Sequence, residues 1–316
     1  GKNINYMKVV VSAVSFSKNK FLVNELKKHF PNLVINSTGK RFSKKELVDY
    51  YDGADAIITG LEIINDELLS KLPDLKIISK FGVGLDNIDL NACDKRGISI
   101  GWTGGVNKRS VSEMALGFML MLSRNLYITS NQLKNDNNWN KSGGSLLSGK
   151  TVGIIGVGHI GRDLIKLLRP FECEILINDI VDVNAFAKNN DCVISSKKKI
   201  YKNSDIISLH TPHTNETNLM INKDVFLLMK KNAIIINTSR GNIVDEFALK
   251  KALLNNQIYG AALDVYSVEP AEDRELLEIP NLISTPHIGG NAQEAVRSMG
   301  MSAISHLINF KNKINK

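Results

Sequence analysis

The stretch from Thr151 to Asp179 constrains the fold of this chain more than any other. It reads TVGIIGVGHIGRDLIKLLRPFECEILIND. An apolar run, Val152 to Ile155, breaks into Gly156, Gly158 and Gly161 at the spacing G-x-G-x-x-G. Ile160, Leu164, Ile165, Leu167 and Leu168 follow at helical spacing, and a second apolar run, Ile175 to Ile177, ends at Asp179. Strand, glycine turn, helix, strand and acid is the order that a bound dinucleotide requires. Gly156 permits the tight turn out of the strand. Gly158 lets the backbone approach a pyrophosphate at the positive helix N-terminus, and Gly161 lets helix pack closely on strand. Asp179, 18 residues past Gly161, can accept hydrogen bonds from a ribose diol and would repel a 2′-phosphate. No arginine follows it closely, so the pattern favours NAD over NADP.

A chain of 316 residues with 43% hydrophobic content can fill two domain cores. Its longest apolar run, Met114 to Leu122 with one glycine, is far too short to span a membrane. Cys93, Cys173 and Cys192 are odd in number and widely spaced, which suits reduced thiols. Gly1 to Tyr6 is polar and does not read as a secretory leader, so a cytoplasmic protein is expected. The net charge of +8 is spread along the chain, and Lys197 to Lys199 is its one lysine run. No aromatic residues interleave with the lysines as a stacking platform for nucleic acid would need. Attraction for small anionic ligands is the expected use of this charge.

From residue 8 to 100, short β-like runs alternate with helical stretches. The strands are expected at Val9–Val11, Leu33–Ile35, Ala56–Ile58, Ile77–Ile78 and Ile98–Ile100, with helices near 19–29, 44–50, 66–72 and 90–96. Such alternation predicts a parallel sheet with helices on both faces. Ser110-Val111-Ser112-Glu113 reads as a capping box before an apolar helix at Met114 to Leu122, and the polar stretch from Asn131 to Gly149 as a connecting arm. Beyond Asp179 strands are expected at 205–209, 233–236, 261–263 and 281–284. A last helix from Asn291 to Phe310 is expected to return to the first domain. The fold class is therefore α/β, with two doubly wound parallel-sheet domains. The division predicted is 1–101 with 288–316 for substrate, and 102–287 for the dinucleotide.

Three late residues carry candidate chemistry: Arg240 after the run Ile234–Ile236, Glu269 in LDVYSVEP, and His287 in STPHIGG. All three are expected just past the C-terminal ends of strands, the edge where open α/β sheets bind ligands. An arginine there can clamp a carboxylate bidentately and polarise a neighbouring carbonyl. A histidine beside a carboxylate can donate a proton to a forming alkoxide. Spacing alone does not bring the three together. His210 and His213 could be read as a metal pair, but no third ligand stands near them, and no metal is expected.

Several blocks in order give the chain a wider resemblance: KFGVGLDNIDLNACDKRGI (80–98), NKRSVSEMALG (107–117), the glycine stretch, SDIISLHTPHTNETNLMIN (204–222), MKKNAIIINTSRGNIVDE (229–246), AALDVYSVEP and STPHIGG. With these the chain resembles the NAD-dependent D-2-hydroxyacid dehydrogenases, and among them most closely the phosphoglycerate dehydrogenases. The resemblance implies an oxidoreductase that moves a hydride between NAD(H) and C2 of a small D-2-hydroxy or 2-oxo acid held between the domains. It implies that Arg240 binds and polarises the oxo acid, that His287 is the acid/base, and that Glu269 pairs with it. The turn Phe81 to Gly84 would hold the substrate carboxylate through the backbone at Val83 and Gly84, with Lys80 and Asn107 nearby. His159 and Ile160 would meet the pyrophosphate, and Asp264 the nicotinamide carboxamide. His210, Thr211, Pro212 and Thr238 would line the rest of the cofactor site. A homodimer formed through Asn107 to Trp139 is also implied.

In one respect the chain departs from the subgroup. Phosphoglycerate dehydrogenases often place an arginine near the position of Thr59-Gly60-Leu61 to grip the phosphate. None stands there, and Lys80 is the expected substitute. D-3-phosphoglycerate is the leading substrate, with glyoxylate, hydroxypyruvate or another plain acid as the alternative. A NAD-sensing, corepressor-like binding protein is the rival of another class.

Overall fold

The computed structural model describes residues 6–316, so the opening Gly1–Asn5 lies outside the described residues. The chain divides into two compact units, Gly1–Asn107 with Gly290–Lys316, and Lys108–Gly289. Trp102 and Thr103 belong with the first unit because Trp102 Nε1 donates to the Val83 carbonyl and Thr103 Oγ1 meets His306 Nε2 at 2.8 Å.

The first unit holds strands β1 (Val9–Val11), β2 (Leu33–Val34), β3 (Ala56–Thr59), β4 (Ile77–Lys80) and β5 (Ser99–Gly101). They form one parallel sheet in the order β2-β1-β3-β4-β5. β1, β3 and β4 are buried at every residue, which is why they open on consecutive apolar residues instead of alternating ones, with Thr59, Ser79 and Lys80 at the ends of β3 and β4. The final helix, Gln293–Ile314, packs Met299, Ala303, Ile304 and Leu307 against Val9, Val11, Ile58 and Ile77. Ser79 Oγ on β4 donates to the Ala303 carbonyl at 2.8 Å, so the far end of the chain completes this core. The helix starts two residues later than expected and runs on to Ile314.

The second unit contains β6 (Thr151–Ile155), β7 (Glu174–Asn178), β8 (Val193–Ile194), β9 (Ile206–Leu209), β10 (Ile234–Asn237), β11 (Gly260–Leu263) and β12 (Leu282–Ser284). Their order is β12-β11-β10-β9-β6-β7-β8, all parallel. The chain winds outward in one direction from β6 and then in the other from β9. That makes the gap between their C-terminal ends the topological switch point where such sheets bind ligands.

Two expectations are corrected here. The apolar helix spans Lys108–Ser123, so Ser110 lies inside it and does not cap it. Its polar residues are drawn into tertiary bonds instead: Ser110 Oγ donates to the Gly289 carbonyl at 2.6 Å, and Ser112 Oγ donates to Asp163. Arg109 grips the same Asp163 with Nε and Nη2, each at 2.7 Å. This pairing holds the Asp163 carboxyl below its usual range and ties the helix to the His159–Leu168 helix. The expected arm is partly helical as well, because a helix covers Leu126–Asp136 before the irregular stretch begins.

Candidate active site

The glycine turn joins β6 to the helix His159–Leu168, with Gly158 at its N-cap. Gly156 has a φ of +95°, and a Cβ on it would run into the carbonyl of His210 at the end of β9. A Cβ on Gly161 would run into the Gly156 carbonyl, so helix and strand touch backbone to backbone. Gly158 differs, because a Cβ there would meet no heavy atom within 4 Å. Packing does not demand glycine at 158. Close approach of a bound pyrophosphate to the main chain and to the exposed His159 would.

Asp179 lies one residue past β7 and curls back to the turn. Its Oδ2 accepts from Val157 N–H at 2.7 Å and its Oδ1 from Val181 N–H at 3.1 Å. The carboxylate keeps acceptor capacity for a ribose diol. Further along the edge, His210 Nε2 pairs with Ser208 Oγ at 2.7 Å, while its Nδ1 is enclosed. Burial pushes this imidazole down to about 4, so it is neutral near pH 7. The buried hydroxyls of Thr211 and Thr238 find no protein partner among the described residues, and Pro212 beside Thr211 is exposed. A cradle without side chains, a carboxylate at the end of β7 and two orphaned hydroxyls at this edge fit a dinucleotide.

Beyond β10, β11 and β12, three adjacent strands, stand Arg240, Glu269 and His287. Asn237 shapes the first loop: its Oδ1 accepts from Ser239 N–H and Oγ at 3.0 and 2.8 Å, and its Nδ2 donates to the Arg240 carbonyl at 3.0 Å. The Arg240 guanidinium donates to the Ser239 carbonyl at 2.8 Å. His287 Nδ1 lies 2.8 Å from Glu269 Oε2, and Glu269 Oε1 accepts from Tyr266 N–H at 3.1 Å. The backbone of His287 is left-handed, with a φ of +53°. Asp264 holds it there, accepting from Thr285 Oγ1 at 2.7 Å and from the N–H groups of Ile288 and Gly289, both at 2.8 Å. Burial pushes the Asp264 carboxyl up, and these bonds work against that rise. Its first task in the fold is to anchor the His287 loop, and one lone pair remains for a carboxamide.

In the first unit the turn after β4 has Gly82 at a φ of +134°. Phe81 itself faces inward, edge-on to Phe16 at 5.9 Å, so only its main chain stands at the turn with Val83 and Gly84. Asn107 is buried with Oδ1 unpartnered among the described residues. Lys80 departs from the expectation of an anion grip. It is 4% exposed, and its Nζ donates to the Gly60 carbonyl and, at 2.8 Å, to Asn87 Oδ1. An ammonium held in this way braces the turn from below. At the turn after β3 stands instead the guanidinium of Arg41, which no local sequence pattern marks. It is exposed, and its Nη2 donates to the Leu61 carbonyl at 3.2 Å. Asn237, Tyr266 and Glu246 were also missed, although Asn237-Thr238-Ser239 after an apolar run is a turn signal.

Among the described residues, no group of three or more metal-ligating side chains occurs and no helix is long and apolar enough to cross a membrane.

The chain is similar to several known dehydrogenases and reductases. D-3-phosphoglycerate dehydrogenase of Methanocaldococcus jannaschii is 36% identical over 263 residues, which cover 82% of this chain and 50% of that protein. This chain therefore spans about half the length of that relative. Hydroxypyruvate reductase of Thermotoga maritima is 34% identical, covering 85% of this chain and 89% of that protein. The solved D-lactate dehydrogenase of Aquifex aeolicus, in complex with NAD and lactic acid, matches with a TM-score of 0.82 and 29% identity, over 96% of this chain and 95% of that one. Residues 116–289, more than half the chain, match the NAD-binding domain of the D-isomer-specific 2-hydroxyacid dehydrogenases, and the chain belongs to that family.

Proposed function

We propose that this protein interconverts a small D-2-hydroxy acid and its 2-oxo acid with NAD(H). The observation that carries the reading is the His287–Glu269 pair, 2.8 Å apart, on the sheet edge that also presents Arg240. When bound, NADH supplies the hydride for C2 of the oxo acid. The residues that would hold it are the main chain at Gly158, His159 and Ile160, the carboxylate of Asp179, and the polar groups of His210, Thr211, Thr238 and Asp264. Arg240 binds the acid and stabilises the charge that develops on its carbonyl oxygen as C2 is reduced. Glu269 engages Nδ1 of His287, which leaves Nε2 to hand its proton to that oxygen. In the oxidising direction Nε2 takes the proton back. The main chain at Val83 and Gly84 would hold the substrate carboxylate.

Within this class we infer an acid with an anionic tail, D-3-phosphoglycerate in first place. The net charge of +8 and the exposed Arg41 at the Leu61 carbonyl support it. The plain acids glyoxylate and hydroxypyruvate are the second reading, favoured by the inward-facing Lys80. Turnover of NADH with a panel of phosphohydroxypyruvate, hydroxypyruvate, glyoxylate and pyruvate tests both levels. Highest kcat/KM for the phosphorylated acid is expected. Activity on plain acids alone would reject the anionic tail, and activity on none would favour a NAD-sensing binding protein.

A further inference from the structure

Two loops that build the site are fastened together at one carboxylate. Glu246 opens the Glu246–Leu254 helix, on the same connection that presents Arg240. Its Oε2 accepts from the main-chain N–H of Ser267 at 3.0 Å and from Ser267 Oγ at 2.9 Å. Ser267 lies two residues before Glu269. The peptide unit between Tyr266 and Ser267 is therefore gripped at its N–H by Glu246. At its carbonyl it abuts Gly241, where any Cβ would run into Tyr266. From the same segment the N–H of Tyr266 orients Glu269, whose other oxygen meets His287.

Glu246 is not needed to start its helix. Asp245 already caps it, accepting from Ala248 N–H at 3.1 Å. Burial does not hold the other end either, since Ser267 and Val268 are exposed. The Tyr266 hydroxyl, within hydrogen-bond distance of the Leu263 and Thr285 carbonyls, and the Glu246 carboxylate both fasten this loop. A catalytic pair works only when it is held to a fraction of an ångström, and hydrogen bonds to a charged acceptor are the stronger kind.

We propose that Glu246 is a positioning residue for the reaction: through Ser267 it sets where Glu269 meets His287, and so couples the Arg240 loop to the acid/base pair. The inference rests on the reading of His287 as the acid/base. The test uses the full chain with E246A, E246Q and S267A. E246A is expected to lower kcat by roughly five- to fiftyfold while leaving the KM for NADH unchanged. The low-field NMR resonance of the His287 Nδ1 proton should weaken or broaden. E246Q, which keeps an acceptor oxygen, should recover most of the rate. In an E269Q background, E246A should cost almost nothing more, because the pair it positions is already broken.

Wild-type kcat and an unchanged low-field resonance in E246A would overturn the proposal. So would an equal loss in the E269Q background, or a loss of NADH affinity as large as the loss in kcat. If E246A does not fold, S267A is judged by the same measurements. A wild-type chain inactive on every 2-oxo acid would instead reject the dehydrogenase reading, and the resonance would still report on the strut.

Discussion

Gly156 turns directly against the carbonyl of His210, and this contact closes the switch point between β6 and β9. It also separates the three glycines of the fingerprint by what each one answers to. Gly156 and Gly161 answer to the protein's own backbone, whereas at Gly158 no protein atom would oppose a Cβ, which leaves a ligand as the expected reason for glycine there.

Ala substitutions should therefore behave differently. Gly156→Ala, with a φ of +95° and a blocked Cβ, should lower Tm by more than about 10 °C or prevent folding. Gly158→Ala should leave Tm unchanged and weaken NADH binding about tenfold or more, read by fluorescence titration. A large fall in Tm for Gly158→Ala would remove the ligand argument at that position.

Asp179 is expected to set a preference for NAD(H) over NADP(H). Wild-type kcat/KM should be clearly higher with NADH, and Asp179→Ala should lower it roughly ten- to a hundredfold while the value for NADPH changes little. A wild-type ratio near one would reject the assignment.

Arg41, not Lys80, should read an anionic tail. Arg41→Ala is expected to raise KM for phosphohydroxypyruvate roughly tenfold or more and leave that for glyoxylate unchanged. Equal losses on both acids would make Arg41 a brace for Leu61 alone. Lys80→Met should instead cost about 1–3 kcal/mol of stability, seen in urea unfolding, because the half-buried Asn87 Oδ1 loses its Lys80 donor and the Gly60 carbonyl keeps only Asn87 Nδ2.

His210 should make stability sensitive to mild acid. Its folded value lies at about 4, below the 6.5 of an unfolded histidine. Between those values the unfolded chain binds the extra proton, so stability is full above about pH 6.5 and declines as pH falls toward 4. His210→Asn should flatten this slope by up to about 1 kcal/mol per pH unit. Identical slopes for the two proteins between pH 7 and 5 would show that another group is responsible.

Association is expected through the Lys108–Ser123 and Leu126–Asp136 helices and the stretch reaching Trp139. The second helix buries none of its residues within its own chain, and Leu126, Leu133 and Trp139 are exposed. Light scattering at micromolar concentration should find twice the 35.0 kDa chain mass, and Leu133→Asp with Trp139→Asp should halve it. A wild-type particle of chain mass would reject the dimer.

The sequence by itself determined the strand-and-helix alternation, the glycine turn with Asp179, and the residue types at 240, 269 and 287. Each of these is a local pattern, in which the residues that act together lie within one turn or one strand end. Tertiary structure decided whatever depended on residues distant in the chain. Strand order made β10, β11 and β12 neighbours and so brought Arg240, Glu269 and His287 to one edge. Packing drew Ser112 and Arg109 to Asp163 and moved the helix start ahead of the capping pattern at Ser110. It turned Lys80 inward onto the Gly60 carbonyl and Asn87 Oδ1, and set Arg41 from a separate loop at Leu61. Backbone periodicity is written in neighbouring residues, whereas the partner of a long polar side chain is chosen only when the chain closes on itself.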